Sequence, residues 1–239
     1  MSYENFAYYY DSLMDQRFYD DYLQFILSHA TFSRVLELGC GTGEMAVRLA
    51  KLDKRILATD LSDDMLEVAR MKAMYHDVHI DFRKVDMCDF ETDSVFDLIL
   101  CLCDSLNYIL DQESVYQVFV NAFNSLENQG TFIFDVNSLY KMNVILKDYL
   151  EENDDPDYYF KWQVENTGDG AVKHTVIIND KSEDEHVVEE HLQKTWSIAV
   201  YQSLLKNAGF DDVEIYSDFH DFQNECERVI FICRKGGKI

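Results

Sequence analysis

The sequence predicts an α/β fold built on a parallel sheet, and three observations carry that expectation. Short apolar runs alternate with amphipathic helical patterns from position 34 to about 137. The glycine-rich turn "GCGTG" at positions 39–43 joins the first apolar run to the first helix of that series. A chain of 239 residues, 47% hydrophobic, holds enough apolar side chain for one substantial core and a small insertion, but not for two full domains.

The elements follow in order. Over residues 3–28, Phe6, Tyr9, Tyr10, Leu13, Phe18, Tyr22, Phe25 and Ile26 recur at mostly three- and four-residue spacings, which predicts one or two amphipathic helices lying over the top of the sheet. "RVLELG" is the first strand and a helix follows from about 43 to 52; "RILATD" is the second, with a helix from about 62 to 75. "VHIDFRKVD" and "FDLILCLC" are the third and fourth strands, and a helix from about 111 to 127 leads into "GTFIFDVN". After Asn137 the rhythm changes. β-prone runs separated by "NTGDG" and "NDKSEDE" predict an antiparallel insertion of about three strands, preceded by the acidic stretch "LEENDDPDYY", read as a hinge or solvated loop around the sole proline, Pro156. A helix from about 197 to 208 then ends at Gly209, and "DVEIYSDF" and "ERVIFICRK" stand too close together for a further helix, so they form an antiparallel hairpin. The expected organisation is a core of residues 1–137 and 197–239 with an N-terminal helical lid, and a β-rich substrate cap at 138–196.

Composition narrows the partners. With 45 acidic residues against 21 Lys and Arg, the formal charge of -24 repels nucleic acid and anionic membranes and favours a small molecule or a cationic protein. The best basic patch, Arg34, Lys51, Lys54 and Arg55, flanks the first two strands on the side where they begin. No apolar run approaches the roughly 20 residues of a membrane span, and "MSYENFAYYY" lacks the features of a signal peptide, so the expectation is a cytoplasmic protein without membrane partners. Its oligomeric state leaves no mark on the sequence. The six cysteines read as reduced thiols, Cys101 and Cys103 as strand core, and no metal is expected.

The glycine turn selects its ligand by what it lacks. A dinucleotide loop, G-x-G-x-x-G, would place its third glycine where this chain has Glu44, whose carboxylate would face a pyrophosphate. That disfavours a nicotinamide dehydrogenase. The loop suits a ligand without phosphates, whose own carboxylate or ammonium meets backbone groups and Glu37; S-adenosyl-L-methionine is such a ligand. Asp60 ends the second strand, where a carboxylate accepts from two ribose hydroxyls. Ser62 caps the next helix, Leu61 and Met65 can pack on an adenine face, and Asp86, followed by Met87, can accept from the adenine amino group.

These segments, "VLELGCGTG", "ATDLS..ML..A", "VDM", "FDLILCLCDSLNYI" and "GTFIFDVN", resemble the successive motifs of class I S-adenosylmethionine-dependent methyltransferases across residues 34–137. The leading "FAYYYDSLM" and the β insertion resemble a bacterial, small-molecule-type subgroup. The resemblance implies a Rossmann-like seven-stranded sheet in the order 3-2-1-4-5-7-6 with strand 7 antiparallel. It also implies that Glu37, Gly39, Cys40 and Gly41 hold the methionine end, Asp60 the ribose, and Asp86 and Met87 the adenine end. Cys101 and Leu102 are implied as backbone partners near the sulfonium, and Tyr10 as a tyrosine reaching the cofactor from the N-terminus.

The implied reaction is methyl transfer to a small-molecule acceptor. "CDSLNYI" lacks the Asn-Pro-Pro-aromatic tetrapeptide with which amino-methylating enzymes of nucleic acids and some proteins hold a planar nitrogen, which argues against an amino group of DNA as target. Asp104 and His191 are the candidate acid/base groups, and Trp162, Trp196, Tyr158, Tyr159 and Phe160 candidates for an aromatic pocket. The alternative is methylation of, or docking to, a basic protein with the cofactor pocket retained.

Overall fold

The computed structural model describes residues 7, 11, 15–90, 92, 95–156, 158–181 and 185–236. Its main sheet contains β1 (Arg34–Leu38), β2 (Arg55–Asp60), β3 (Asp81–Lys84), β4 (Phe96–Cys101) and β5 (Leu126–Asn137), then β10 (Asp212–Ser217), the two-residue β11 (His220–Asp221) and β12 (Arg228–Arg234). The order is β11-β10-β12-β5-β4-β1-β2-β3. The first five strands are mutually parallel, and β12 runs antiparallel between β5 and β10. This is the expected seven-strand order with one short edge strand added.

Helices cover both faces. On one side α1 (Gln16–His29), α2 (Glu44–Ala50) and α3 (Asp63–Tyr75) bury residues such as Tyr22, Ile26, Leu49 and Leu66 against Val35, Ile133 and Ile232. On the other, α4 (Gln112–Ser125) and α5 (Ile198–Ala208) bury Phe119, Tyr201 and Leu205 against Leu36, Phe134 and Phe231. The Tyr19, Tyr22, Phe25, Ile26 stripe thus turns α1 onto a sheet face, and most of the preceding residues read as part of a helical lid lie outside the described residues. Asp15 caps α1 by accepting from the Arg17 N–H, and Ser62 caps α3 through the Met65 N–H.

The insertion is a separate antiparallel sheet of four strands rather than three, in the order β6 (Leu150–Asp154), β7 (Tyr158–Gly168), β8 (Ala171–Asp180), β9 (Glu185–Lys194). The additional strand is "LEEND", part of the stretch read as solvated loop. All five residues are exposed, so no alternation of apolar and polar side chains announces an edge strand there. In β8 burial alternates strictly, and Val172, His174, Val176 and Ile178 point inward. Phe160, Val176, Ile178 and Val187 pack on Met65 at the start of α3, which seats this sheet over the main one.

Parallel strands of this order create a crevice where the chain leaves β1 for one side while β4 lies on the other, beyond the carboxyl ends of both. That is where the site lies.

Candidate active site

A cavity of about 1240 Å³ opens between the carboxyl ends of the parallel strands and the inner face of the insertion. It exceeds the roughly 300–1,000 Å³ of a pocket for one small molecule, so it has room for a cofactor and an acceptor together.

One end is built by the turn after β1. Gly39 has φ +66°, and a Cβ there would stand 2.8 Å from Ser105 Cβ, so the backbone has to be bare at this point. Ser105 reinforces the contact by donating its hydroxyl to the Gly39 and Leu102 carbonyls, at 3.1 and 2.8 Å. Glu37 is 4% exposed. Its carboxylate accepts from the Ala46 N–H in the first turn of α2, while Oε2 has no partner. Burial, and then the neighbouring charge of Asp60, push its pKa up to about 8. Asp60, where β2 ends, accepts from the Gly41 N–H at 2.8 Å and the Ser62 N–H at 2.9 Å, and burial raises its pKa despite both bonds. A floor with an orphaned carboxylate oxygen beside a second, half-buried carboxylate fits a ligand that brings a cationic donor and hydroxyls.

Cys40, Gly41, Leu61, Met65, Asp86, Met87 and Leu102 line the same end. Asp86 is partly occupied as the cap of a short helical turn, accepting from the Cys88 N–H at 2.9 Å. Cys101 is not among the lining residues. It is buried beneath them, its Sγ 4.0 Å from Met87 Sδ. Tyr10 lies outside the described residues. Asp11 nearby is described: it accepts from Thr42 Oγ1 at 2.6 Å and pairs with Lys72 at 2.7 Å, tying the N-terminal segment to the glycine turn. Burial holds the Cys40, Cys101 and Cys103 thiols well above their usual range, so none is a nucleophile at neutral pH.

The other end is a connected polar network. Asp104, in left-handed backbone conformation, donates its N–H to Asp135 Oδ2 at 2.9 Å. Arg228 reaches both carboxylates, pairing with the fully buried Asp135 and approaching Asp104 Oδ1 at 3.3 Å. Strand register sets this up, because Arg228 of β12 lies directly opposite Asn137 of β5. Gln193 Nε2 donates to Asp104 Oδ2 at 2.7 Å, Asn137 Nδ2 donates to Gln193 Oε1 at 3.1 Å, and His174 Nε2 lies 3.2 Å from that oxygen. Trp162 Nε1 donates to His174 Nδ1 at 3.0 Å.

The direction of every bond follows from its ends. A carboxylate only accepts, so Gln193 must turn its amide nitrogen to Asp104 and its oxygen to Asn137 and His174. An indole only donates, so His174 keeps a lone pair on Nδ1 and its proton on Nε2. Burial lowers the His174 pKa, in keeping with this neutral form. Asn137 Oδ1 is left without a partner in a side chain only 2% exposed.

The two acid/base candidates differ. Asp104 is held by Arg228 and Gln193, so both of its carboxylate oxygens are engaged within the network. His191, directly opposite His174 on β9, lines the cavity with Tyr108 edge-on to it, and burial lowers its pKa, so it is neutral at pH 7. Of the aromatic candidates, Tyr158, Phe160 and Trp162 line the cavity. Tyr159 and Trp196 do not: Tyr159 donates to Glu152, and Trp196 packs on Tyr201 in the main core. Sequence reasoning missed Ser105, Asn137, His174, Gln193 and Arg228. An arginine opening the otherwise apolar "RVIFIC" and an asparagine closing "FIFDVN" were the available signals.

Comparison with known proteins agrees with this architecture. Residues 35–130 match a family model described as a methyltransferase domain. A Geobacillus sp. (strain WCH70) protein named as a methyltransferase is 36% identical over 98% of this chain and 100% of its own length. YqeM of Bacillus subtilis (strain 168), also named as a methyltransferase, is 32% identical over 100% of this chain and 99% of its own. The crystal structure of an S-adenosylmethionine-dependent methyltransferase from Clostridium acetobutylicum ATCC 824 superposes with a TM-score of 0.86 at 26% identity, covering 98% of this chain and 99% of that one. The chain belongs to the class I S-adenosylmethionine-dependent methyltransferases, and S-adenosylmethionine is its cofactor.

Proposed function

We propose that the enzyme methylates a small molecule bound between the strand ends and the insertion. The observation that supports this reading is the cavity itself: one space of about 1240 Å³ lined by the glycine turn, a buried polar network and the aromatic side chains of Tyr158, Phe160 and Trp162. The best basic residues are remote from it. Arg34 and Arg55 begin β1 and β2, at the opposite end of the sheet from the site, and Arg34 is paired with Glu127.

In this reading Glu37 would hold the cofactor's ammonium, a cationic neighbour that would draw the carboxyl back into its ionised form. Asp60 would accept from the ribose hydroxyls, Leu61, Met65 and Met87 would cover the base, and Asp86 would accept from its amino group. The cofactor supplies a methyl group already activated on sulfur, so the protein's part is alignment and exclusion of water. The insertion sheet supplies the wall that excludes water, with Asp11 pinning the N-terminal segment to the glycine turn. In this reading His191, neutral at working pH, takes a proton from an acceptor group, and Asp104, tied to Arg228 and Gln193, orients the network.

Labelled cofactor tests this directly. Transfer is expected to at least one member of a metabolite panel of amines, carboxylates and phenols, with negligible incorporation into bulk tRNA. Labelling of tRNA or of a basic protein, with the panel silent, overturns the small-molecule reading.

A further inference from the structure

We infer that the acceptor is an amine, bound as a cation or as its neutral conjugate at the network of Asp104, Asn137, Gln193 and Arg228, and methylated on nitrogen. The inference rests on the small-molecule reading above and adds the chemical class.

Charge is the first support. The cations that line the cavity are Lys84, Lys141 and Arg228, and each already faces a carboxylate. Lys84 pairs with Asp63 at 2.6 Å, Arg228 with Asp104 and Asp135, and Lys141 stands 4.0 Å from Glu227. Among the described residues the lining carries nine carboxylates, Asp104, Asp111 and Glu151 among them, against these three cations, so an anionic acceptor, such as a phenolate or carboxylate, enters an acidic cavity. Phe160 and Trp162 add aromatic surface, which attracts cations and does not attract anions.

Hydrogen bonding is the second and independent support. The bond directions worked out above leave Asn137 with its oxygen, not its nitrogen, unpaired. Asn137 lines the cavity with a side chain 98% buried, so a donor that reaches its oxygen, through a small shift of the atoms covering it, satisfies an atom that otherwise has no partner. A primary or secondary amine carries such hydrogens in both protonation states, and a neutral alcohol or phenol carries one, whereas an ether, ester or carboxylate carries none. The unpaired oxygen therefore disfavours a carboxylate, and the acidic lining favours the cationic amine over a hydroxyl.

The reaction balances within this environment. An acceptor arriving as ammonium first loses one proton, to His191 or to water. The freed lone pair then forms the new N–C bond while the methyl–sulfur bond breaks with its electron pair remaining on sulfur. The single positive charge passes from sulfur to nitrogen, and the acidic surroundings hold the same net charge before and after transfer. Methylation of an anionic oxygen would instead require that anion to form among carboxylates.

The experiment uses the full chain, labelled cofactor and matched triads in which only the reacting group changes: benzylamine, benzyl alcohol and benzoate, and the corresponding cyclohexyl set. Binding of each compound to protein saturated with S-adenosylhomocysteine is measured alongside turnover. Amines are expected to bind and accept methyl at least tenfold better than their partners, with kcat/KM rising from pH 6 to pH 9 as the free amine forms. Asn137→Leu is expected to raise KM for the amine about tenfold, with S-adenosylhomocysteine affinity unchanged as the check that the variant folds. Labelling or tighter binding of the alcohol or the carboxylate overturns the amine assignment and leaves the small-molecule reading standing. Silence of every compound in both readouts overturns both.

Discussion

Glu37→Gln is the most direct probe of the glycine-turn end, because its effect has a sign that depends on pH. In the ligand-free protein the Glu37 carboxyl is buried and holds its proton up to about pH 8, against an ordinary value of 4.5. A folded-state pKa raised in this way means that the folded chain binds the proton more tightly than the unfolded chain does. Stability is therefore complete below about 4.5, falls as the pH rises toward 8, and stays at the lower level above it. The difference between the two values corresponds to at most about 5 kcal/mol, at about 1.4 kcal/mol for each tenfold change in proton affinity. Glutamine mimics the protonated carboxyl and does not titrate. For a chain of this size each kcal/mol moves Tm by about 2–4 °C, so the variant gains up to about 10–20 °C over the native protein at pH 9 and little at pH 5. Thermal melts of both proteins without ligand, from pH 5 to pH 9, read this out, and titrating groups remote from Glu37 cancel in the difference. Parallel curves would refute the argument. Saturating S-adenosylhomocysteine should shrink the gap at high pH, since the cationic partner stabilises the ionised carboxylate only in the native chain.

Asp60→Ala should weaken binding of S-adenosylhomocysteine by about 1–3 kcal/mol, read by calorimetry, and an unchanged affinity would remove Asp60 from the site. Gly39→Ala and Gly41→Ala both place a side chain at positive φ, but only the first drives it to 2.8 Å from Ser105, whereas nothing stands within 4 Å at Gly41. Gly39→Ala should therefore be the less stable by about 1–3 kcal/mol in denaturant melts. Arg228→Met leaves Asp135 buried without its cation, and should cost about 3–5 kcal/mol; Asp135→Asn in the same chain should recover part of that loss, and no recovery would argue against the pairing.

The sheet and the glycine-turn end were legible because their signals are local. Glu37, Asp60 and Asp86 each stand at or just beyond the end of an apolar run, and in a parallel sheet all such ends fall on one side. The network at the other end is not local. Gln193 meets Asp104 only through the pairing of β8 with β9 and the seating of that sheet on α3, and Arg228 meets Asp135 only through the register of β12 on β5. Nothing in "HLQKTW" or "RVIFIC" specifies those partners. Strand β6 escaped notice for a different reason, since an edge strand exposed on both faces has no apolar period to read. The hairpin of β10 and β12 was legible from chain length alone, because no helix fits between them.

The register that places Arg228 opposite Asn137 also sets a timetable for synthesis. A chain emerging from its N-terminus presents Glu37, Asp60 and Asp86 early, on adjoining strands of the sheet. The opposite end of the cavity depends on Asp104, Asn137, His174 and Gln193, and its buried carboxylates lack their cation until residue 228 is in place. A nascent protein can thus acquire a place for its methyl donor well before it has one for the molecule that receives the methyl group.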